Sequence, residues 1–470
     1  MKNINKKTVD IVIGLILFLL IGLFVEGEIF SQSAAFALAT MVVMIYWWIT
    51  KPVHLAVTAL LPIIVTAIFN IAPINTVLDD YSSPIVVLLL GANILTLTWM
   101  IWGLDKRIAL RMLILIGSSF RQQLIVWFLI STILSAFLPN AVVAATLCPI
   151  ALAMINHCIK IDSSLEKSNI KYWILLSIVW GAGLGGFGTP MGGAMNLVAI
   201  GHIENFLNAE YMYITWIAKM LPYFIGLMIT VSLYFLFVKL DVKKLSGSRE
   251  YFKESYKKLG KMKKGEKIAS TLFVAAIILA FTRPLYQSML PAFKPPYAFL
   301  LAGVIAFFVN GDKGKRLISW DYAVKNLNWS LAILFAGGMA VGNLLVTTGA
   351  SEAIAQYVIG YNITGQLGLI MIFVLLGMFL SNTSSNTAAC AALIPVVLSI
   401  VSNLPYNPLP FVYVSVAACN SAFILPTSIR AIPLAYGMDT DFMLKKGTFV
   451  VLITFICLVA IGYVAVLIGG

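Results

Sequence analysis

Two asparagines 246 residues apart, Asn140 and Asn386, each stand nine positions before a proline, Pro149 and Pro395, and five positions after a serine, Ser135 and Ser381. Around the second the chain reads FLSNTSSNTAAC from Phe379 to Cys390, so Ser-Asn-Thr occurs twice inside an apolar run. Asn amides donate and accept hydrogen bonds, as Ser and Thr hydroxyls do. At the end of a half-helix they can join free N–H groups in holding an anion, or join free carbonyls around a cation such as sodium. A further candidate is Arg430, which closes the string ACNSAFILPTSIR. A permanent cation within an apolar segment is expensive and marks function. Its guanidinium suits either a bidentate pair with a substrate carboxylate or the place where a mobile cation would otherwise sit.

The elements that must position these residues are membrane helices. The 470 residues are 60% hydrophobic and 11% charged, and mean hydropathy is +0.96, which excludes an ordinary soluble protein. Apolar runs long enough to cross a bilayer recur from Ile11 onward. The first is followed by further spans and no small-residue cleavage site, so it reads as a membrane helix. The net charge of +13 comes largely from short connections, above all the stretch from Asp241 to Ile268, with ten Lys or Arg against four acids. The positive-inside rule puts that loop and the basic amino end in the cytoplasm of a plasma-membrane protein, and no nucleic-acid partner is expected. The five cysteines and three histidines lack metal or disulfide spacing, so neither a metal nor a cofactor is expected.

The predicted fold is an all-α polytopic membrane protein with about 11 transmembrane helices and two re-entrant hairpins. The hairpins are expected near 108–158 and 364–403, each followed by a span broken at mid-length, 172–203 and 408–437. Residues 1–30 form an extra first helix, 31–239 one repeat, 240–267 the basic loop and 268–470 a second repeat. Five crossings per repeat make the two halves inverted and leave the carboxyl end outside. Paired repeats with broken spans are the pattern of secondary transporters. No nucleophile and base pair, phosphate loop or pair of intramembrane acids is present, which argues against an enzyme.

The two Asn-to-Pro hairpins, together with GTPMGGAMN in the first broken span, resemble the divalent anion:sodium symporter family, the INDY-type dicarboxylate carriers, in a sodium-independent exchanger branch. The resemblance implies a homodimeric carrier moving by an elevator-type alternating access among membrane lipid. It implies substrate binding by Asn140, Ala141, Gly193, Ser385, Asn386, Thr387 and Ser428; Arg430, a departure from the family, joins them as a permanent cation at membrane depth. Cation-site positions, vestigial in such an exchanger, are Ser135, Asn140, Gly192, Ser381, Ser384 and Asn386. The second tip, Ser385-Asn386-Thr387, matches the family intact; at the first, Pro139-Asn140-Ala141, only asparagine remains. Where the family has Thr-Pro-Pro-Asn, this chain has Ile429-Arg430-Ala431-Ile432. The expected activity is exchange of C4 or C5 dicarboxylates (succinate, malate, fumarate or 2-oxoglutarate). Sodium symport, or carriage of sulfate, phosphate or citrate, remains the alternative.

Overall fold

A computed structural model of the chain describes residues 6–25, 31–360 and 365–469. Residues 1–5 of the basic amino end, 26–30 of the predicted first span, 364 at the predicted start of the second hairpin, and 470 lie outside the described residues. Regular structure among the described residues is helical, apart from isolated bridges pairing Ser119 with Lys244 and Asn310 with Arg316. Eight described helices are long and apolar enough to cross a membrane. The shorter apolar helices include Phe120–Ser135, Ile170–Gly185, Asn386–Ser402 and Pro408–Cys419. A 16-residue helix spans about 24 Å, less than a bilayer core, and these are the helices whose ends meet the polar strings.

The same arrangement occurs in each half. In the first, Phe120–Ser135 and Asn140–Ile161 form a helix pair, followed by Ile170–Gly185 and Ala194–Leu207 on either side of a break at 186–193. In the second, Gln366–Thr383 pairs with Asn386–Ser402, and Pro408–Cys419 is separated by 420–427 from the 3-10 helix Ser428–Tyr436. Pro149 and Pro395 both lie inside the second arm of their pair. Small residues bring the first pair onto the first broken span. A methyl group on Gly181 would lie 2.4 Å from the Phe128 carbonyl oxygen, and one on Gly185 2.2 Å from that of Thr132. Ser131 donates across this contact to the Ile178 carbonyl. The glycine spacing at 181 and 185 is therefore a helix-packing face.

The first pair begins later than the expected 108–158. Leu104–Leu113 is a separate helix bearing Asp105, Arg107 and Arg111. Its charges keep it out of the apolar pair, and they tie it to the basic loop. Arg107 pairs with Glu266, Nη2 lying 3.1 Å from Oε1, and Nη1 donates to the Gly260 carbonyl at 2.9 Å. The loop is docked as well as solvated: Phe252 is fully buried against Trp127, and Gln123 donates to Ser248 at 2.8 Å. At the loop's end Asp312 accepts from the backbone N–H groups of Gly265 and Lys264, which holds its carboxyl below the usual range.

Removing one partner of a buried ion pair strands the other charge. Arg107→Ala leaves Glu266, 3% exposed, without its guanidinium and is expected to cost about 3 kcal/mol of stability. Thermal unfolding in detergent measures this, and an unchanged midpoint would show the pair to be dispensable.

Candidate functional site

The first break is held together by backbone oxygens. Ser135, fully buried, lies within hydrogen-bond distance of the Ala182 carbonyl (2.7 Å) and of Asn140 Oδ1 (3.1 Å). Thr189 donates to the Ala136 carbonyl, and Asn196 Nδ2 donates to the carbonyls of Gly186 and Thr189, each at 2.7 Å. Gly192 sits where three carbonyls converge: a methyl group there would lie 2.6, 2.7 and 3.0 Å from the oxygens of Gly186, Ser135 and Ala136. The side chain of Asn140 rests on Gly186. Asn196 Oδ1 is buried without a partner. This donor set is oxygen-rich and uncharged, the chemistry a hard monovalent cation takes. Ala141 is exposed at the start of its helix, so its backbone N–H, one of the four unpaired at any helix start, is open to an anion.

The same positions in the second half are bound to a side chain. Arg430 is 1% exposed. Its Nε donates to the Leu425 carbonyl (2.8 Å), Nη1 to Ala422 (3.3 Å), and Nη2 to the Ser381 carbonyl (2.8 Å) and Thr427 Oγ1 (2.6 Å). Four of its five N–H groups are thus engaged by neutral oxygens of the protein. Ser381, the repeat mate of Ser135, gives Arg430 its carbonyl, while its hydroxyl turns back to Met378. Thr427 donates to the Asn382 carbonyl at 2.9 Å, as Thr189 does to Ala136, the residue 246 positions earlier.

The remaining second-tip residues divide. Asn386 Nδ2 donates to Asn420 Oδ1 at 3.2 Å, and its own Oδ1 is buried without a partner. Ser385 caps Asn386–Ser402 by accepting from the Ala388 N–H at 3.2 Å, which leaves its O–H free to donate. Thr387 is buried beside it. Ser384 donates to the Trp48 carbonyl at 3.0 Å, so its hydroxyl fastens the tip to Gln32–Thr50 and is not part of the Arg430 cluster. Ser428 is exposed and has a left-handed φ of 53°, turning the chain so that Arg430 points inward. Gly192 and Gly193 line a cavity of about 50 Å³ with Pro139 and with Asn93 and Thr96 of Pro84–Trp102; its lining includes no second-tip residue.

Three participants were not singled out as site residues from the sequence. Asn382 accepts from the N–H groups of Phe423 and Ile424 at 3.2 and 3.0 Å and so shapes the second break. Thr427 lies off the 246-residue offset from Thr189. Lys51, at the end of Gln32–Thr50, lies within electrostatic range of Arg430, and only an unusual lysine between two apolar runs hinted at it.

Long apolar helices, paired helices with polar tips and two broken spans define a multi-pass membrane transporter. The chain belongs to the sodium:sulfate symporter family, whose transmembrane-region profile matches residues 5–469; its members are transporters, not enzymes. Among its relatives, a protein of Staphylococcus saprophyticus named sodium-dependent dicarboxylate transporter SdcS is 26% identical over 472 residues, spanning 97% of this chain and 91% of its own. The SdcS of Staphylococcus aureus strain USA300 is 27% identical over 476 residues with the same coverage. In fold, the chain is similar to the Alcanivorax borkumensis YdaH transporter, with TM-score 0.52, 11% identity, and coverage of 83% of this chain and 87% of that one. Neisseria gonorrhoeae MtrF gives TM-score 0.54, 12% identity, and 97% and 98% coverage.

Gly192→Ala places a methyl group among three fixed carbonyls, a strain of about 2 kcal/mol, so a ligand of that shell should weaken about thirty-fold. At Gly188 the three atoms nearest an added methyl group all belong to the Phe224 ring, a side chain that can give way where fixed carbonyls cannot, so Gly188→Ala should have a much smaller effect. Half-saturation of transport distinguishes them; equal effects would dissociate the carbonyl cluster from function.

Proposed function

We propose that the chain is a secondary transporter that exchanges C4 and C5 dicarboxylates by alternating access. The single observation that carries the exchange reading is the engagement of Arg430 by the Ser381 carbonyl and the second break. Dicarboxylate as the substrate class rests on the resemblance of the tips and on the names of the relatives. One substrate carboxylate would meet the hydroxyls of Ser385 and Thr387 and the first N–H groups of Asn386–Ser402. The other would meet Asn140 with the N–H of Ala141 and the Gly193 backbone. Two helix N-termini and two nearby cations, Arg430 and Lys51, favour a dianion.

In this reading the guanidinium replaces one coupling cation, and a mobile cation beside it meets a like charge. The empty site keeps its positive charge, which resists transfer across a low-dielectric barrier until an anion neutralises it. Loaded forms cross and empty forms do not, so uptake requires a counter-substrate. The helix pairs act as re-entrant hairpins of two inverted repeats, 31–239 and 268–470. They form a transport part that moves against a scaffold in a homodimer of the plasma membrane. The basic loop 240–267 is cytoplasmic and the carboxyl end outside.

Sodium-coupled symport is the second reading, favoured by the uncharged oxygen cluster at Gly192 and by the relatives' sodium dependence. Liposomes loaded with succinate, or with none, and diluted into succinate with or without sodium separate the two. Exchange predicts uptake only with internal dicarboxylate and at zero sodium; uptake into empty liposomes driven by a sodium gradient would establish symport instead. Arg430→Ala is expected to abolish the exchange. Thr387→Val keeps the shape and removes one hydrogen bond to a charged group, about 2 kcal/mol, so half-saturating dicarboxylate should rise about thirty-fold. An unchanged value would remove Thr387 from the site.

A further inference from the structure

Away from both breaks, Tyr213–Phe237 runs beside the start of Thr440–Gly469, and the seam between them holds a cavity of about 680 Å³. Its wall is apolar and open to the surroundings: Leu233, Phe237 and Phe449 line it and are 46%, 78% and 55% exposed. At its mouth stand Lys445 and Lys446, and neither forms a salt bridge among the described residues. Lys446 is steadied at the rim, its Nζ 5.2 Å from the centre of the Trp173 ring and 5.6 Å from that of Phe442. A third cation adjoins them, since Arg121 Nη2 donates to the carbonyl of Val238, another lining residue, at 3.2 Å.

An apolar trough along two membrane helices, ending in unpaired ammonium groups at the basic face, matches one chemistry. Acyl chains fill the trough, and a phosphate at the polar boundary meets the lysines. A soluble anion would use the lysines and leave the aromatic wall in contact with water. We propose that this seam binds an anionic phospholipid, with its headgroup phosphate on Lys445 and Lys446 and an acyl chain along Leu233, Phe237 and Phe449. The lipid spans two helices that flank the second broken span and joins them through their outer faces. The placement of the rim at the cytoplasmic boundary rests on the orientation proposed above. Binding in micelles does not depend on orientation or transport, so failure here and failure there are distinguishable.

The test uses the purified full chain in detergent, with phosphatidylglycerol or phosphatidylcholine of matched acyl chains added and retained lipid counted by native mass spectrometry. The expected result is preferential retention of phosphatidylglycerol, falling about five-fold for each lysine removed in Lys445→Gln and Lys446→Gln. Leu233→Trp, which fills the trough and keeps both lysines, should also lose it. Equal retention of the two lipids by the unaltered chain would overturn the proposal even if a variant fails to fold. So would retention indifferent to all three substitutions. Displacement of phosphatidylglycerol by glycerol phosphate at equal concentration would assign the lysines to a soluble anion and overturn it as well.

Discussion

A helix interrupted inside an apolar protein frees carbonyls and N–H groups that have no water to turn to, and each must find a partner within the chain. That constraint governs both broken spans. At the first, Thr189 and Asn196 answer part of the need, and the absence of side chains at Gly186 and Gly192 lets the remaining carbonyls crowd together. At the second, Asn382 supplies the acceptor for two N–H groups, and Arg430 gathers carbonyls from the gap itself and from the neighbouring helix Gln366–Thr383. One break is thus satisfied by neutral donors and close approach, the other by a charged side chain. A charge at that depth is tolerable because nearly every N–H it presents ends on an oxygen.

Packing makes each helix pair and its broken span a unit. In the first half, bare glycine faces at 181 and 185 put backbone against backbone, leaving little slack between the pair and the span. In the second, Ser415, Asn420 and Ser421 donate within or just past their own helix, while Asn386 reaches across to Asn420. The ends of the first pair are fixed from the other side by the docked basic loop, through Phe252 and the Ser248 contact with Gln123. The tips are therefore positioned both by neighbours at the break and by anchors about a helix length away.

Much of this was legible in the sequence because the signals were periodic or costly. The 246-residue offset located Ser135, Asn140, Ser381 and Asn386 at matching ends of matching helices, and the arginine in an apolar string is the side chain buried at the second break. What escaped is what depends on three-dimensional contact across unequal loops. The stretch from each tip asparagine to the start of its broken span is shorter in the second half, 386–408 against 140–170, so Thr189 and Thr427 fall out of register although both reach equivalent carbonyls. Asn382 carries no local signal, because its N–H partners lie 41 and 42 residues away. Ser384 belonged to the right string yet turns its hydroxyl to Trp48, a contact no spacing rule contains. The charged helix Leu104–Leu113 is not separable from the first pair by hydropathy alone, because apolar residues on either side mask its polarity.

Arg430 is joined to the Ser381 carbonyl through a side chain that cannot diffuse away. A free ion fills a site by mass action, so its occupancy rises and falls with the salt of the medium. A tethered guanidinium has an effective concentration set by geometry alone. The positive charge at the second break is consequently the same in dilute and in salty surroundings. It is altered by substitution in the sequence, on the timescale of mutation rather than of ion binding.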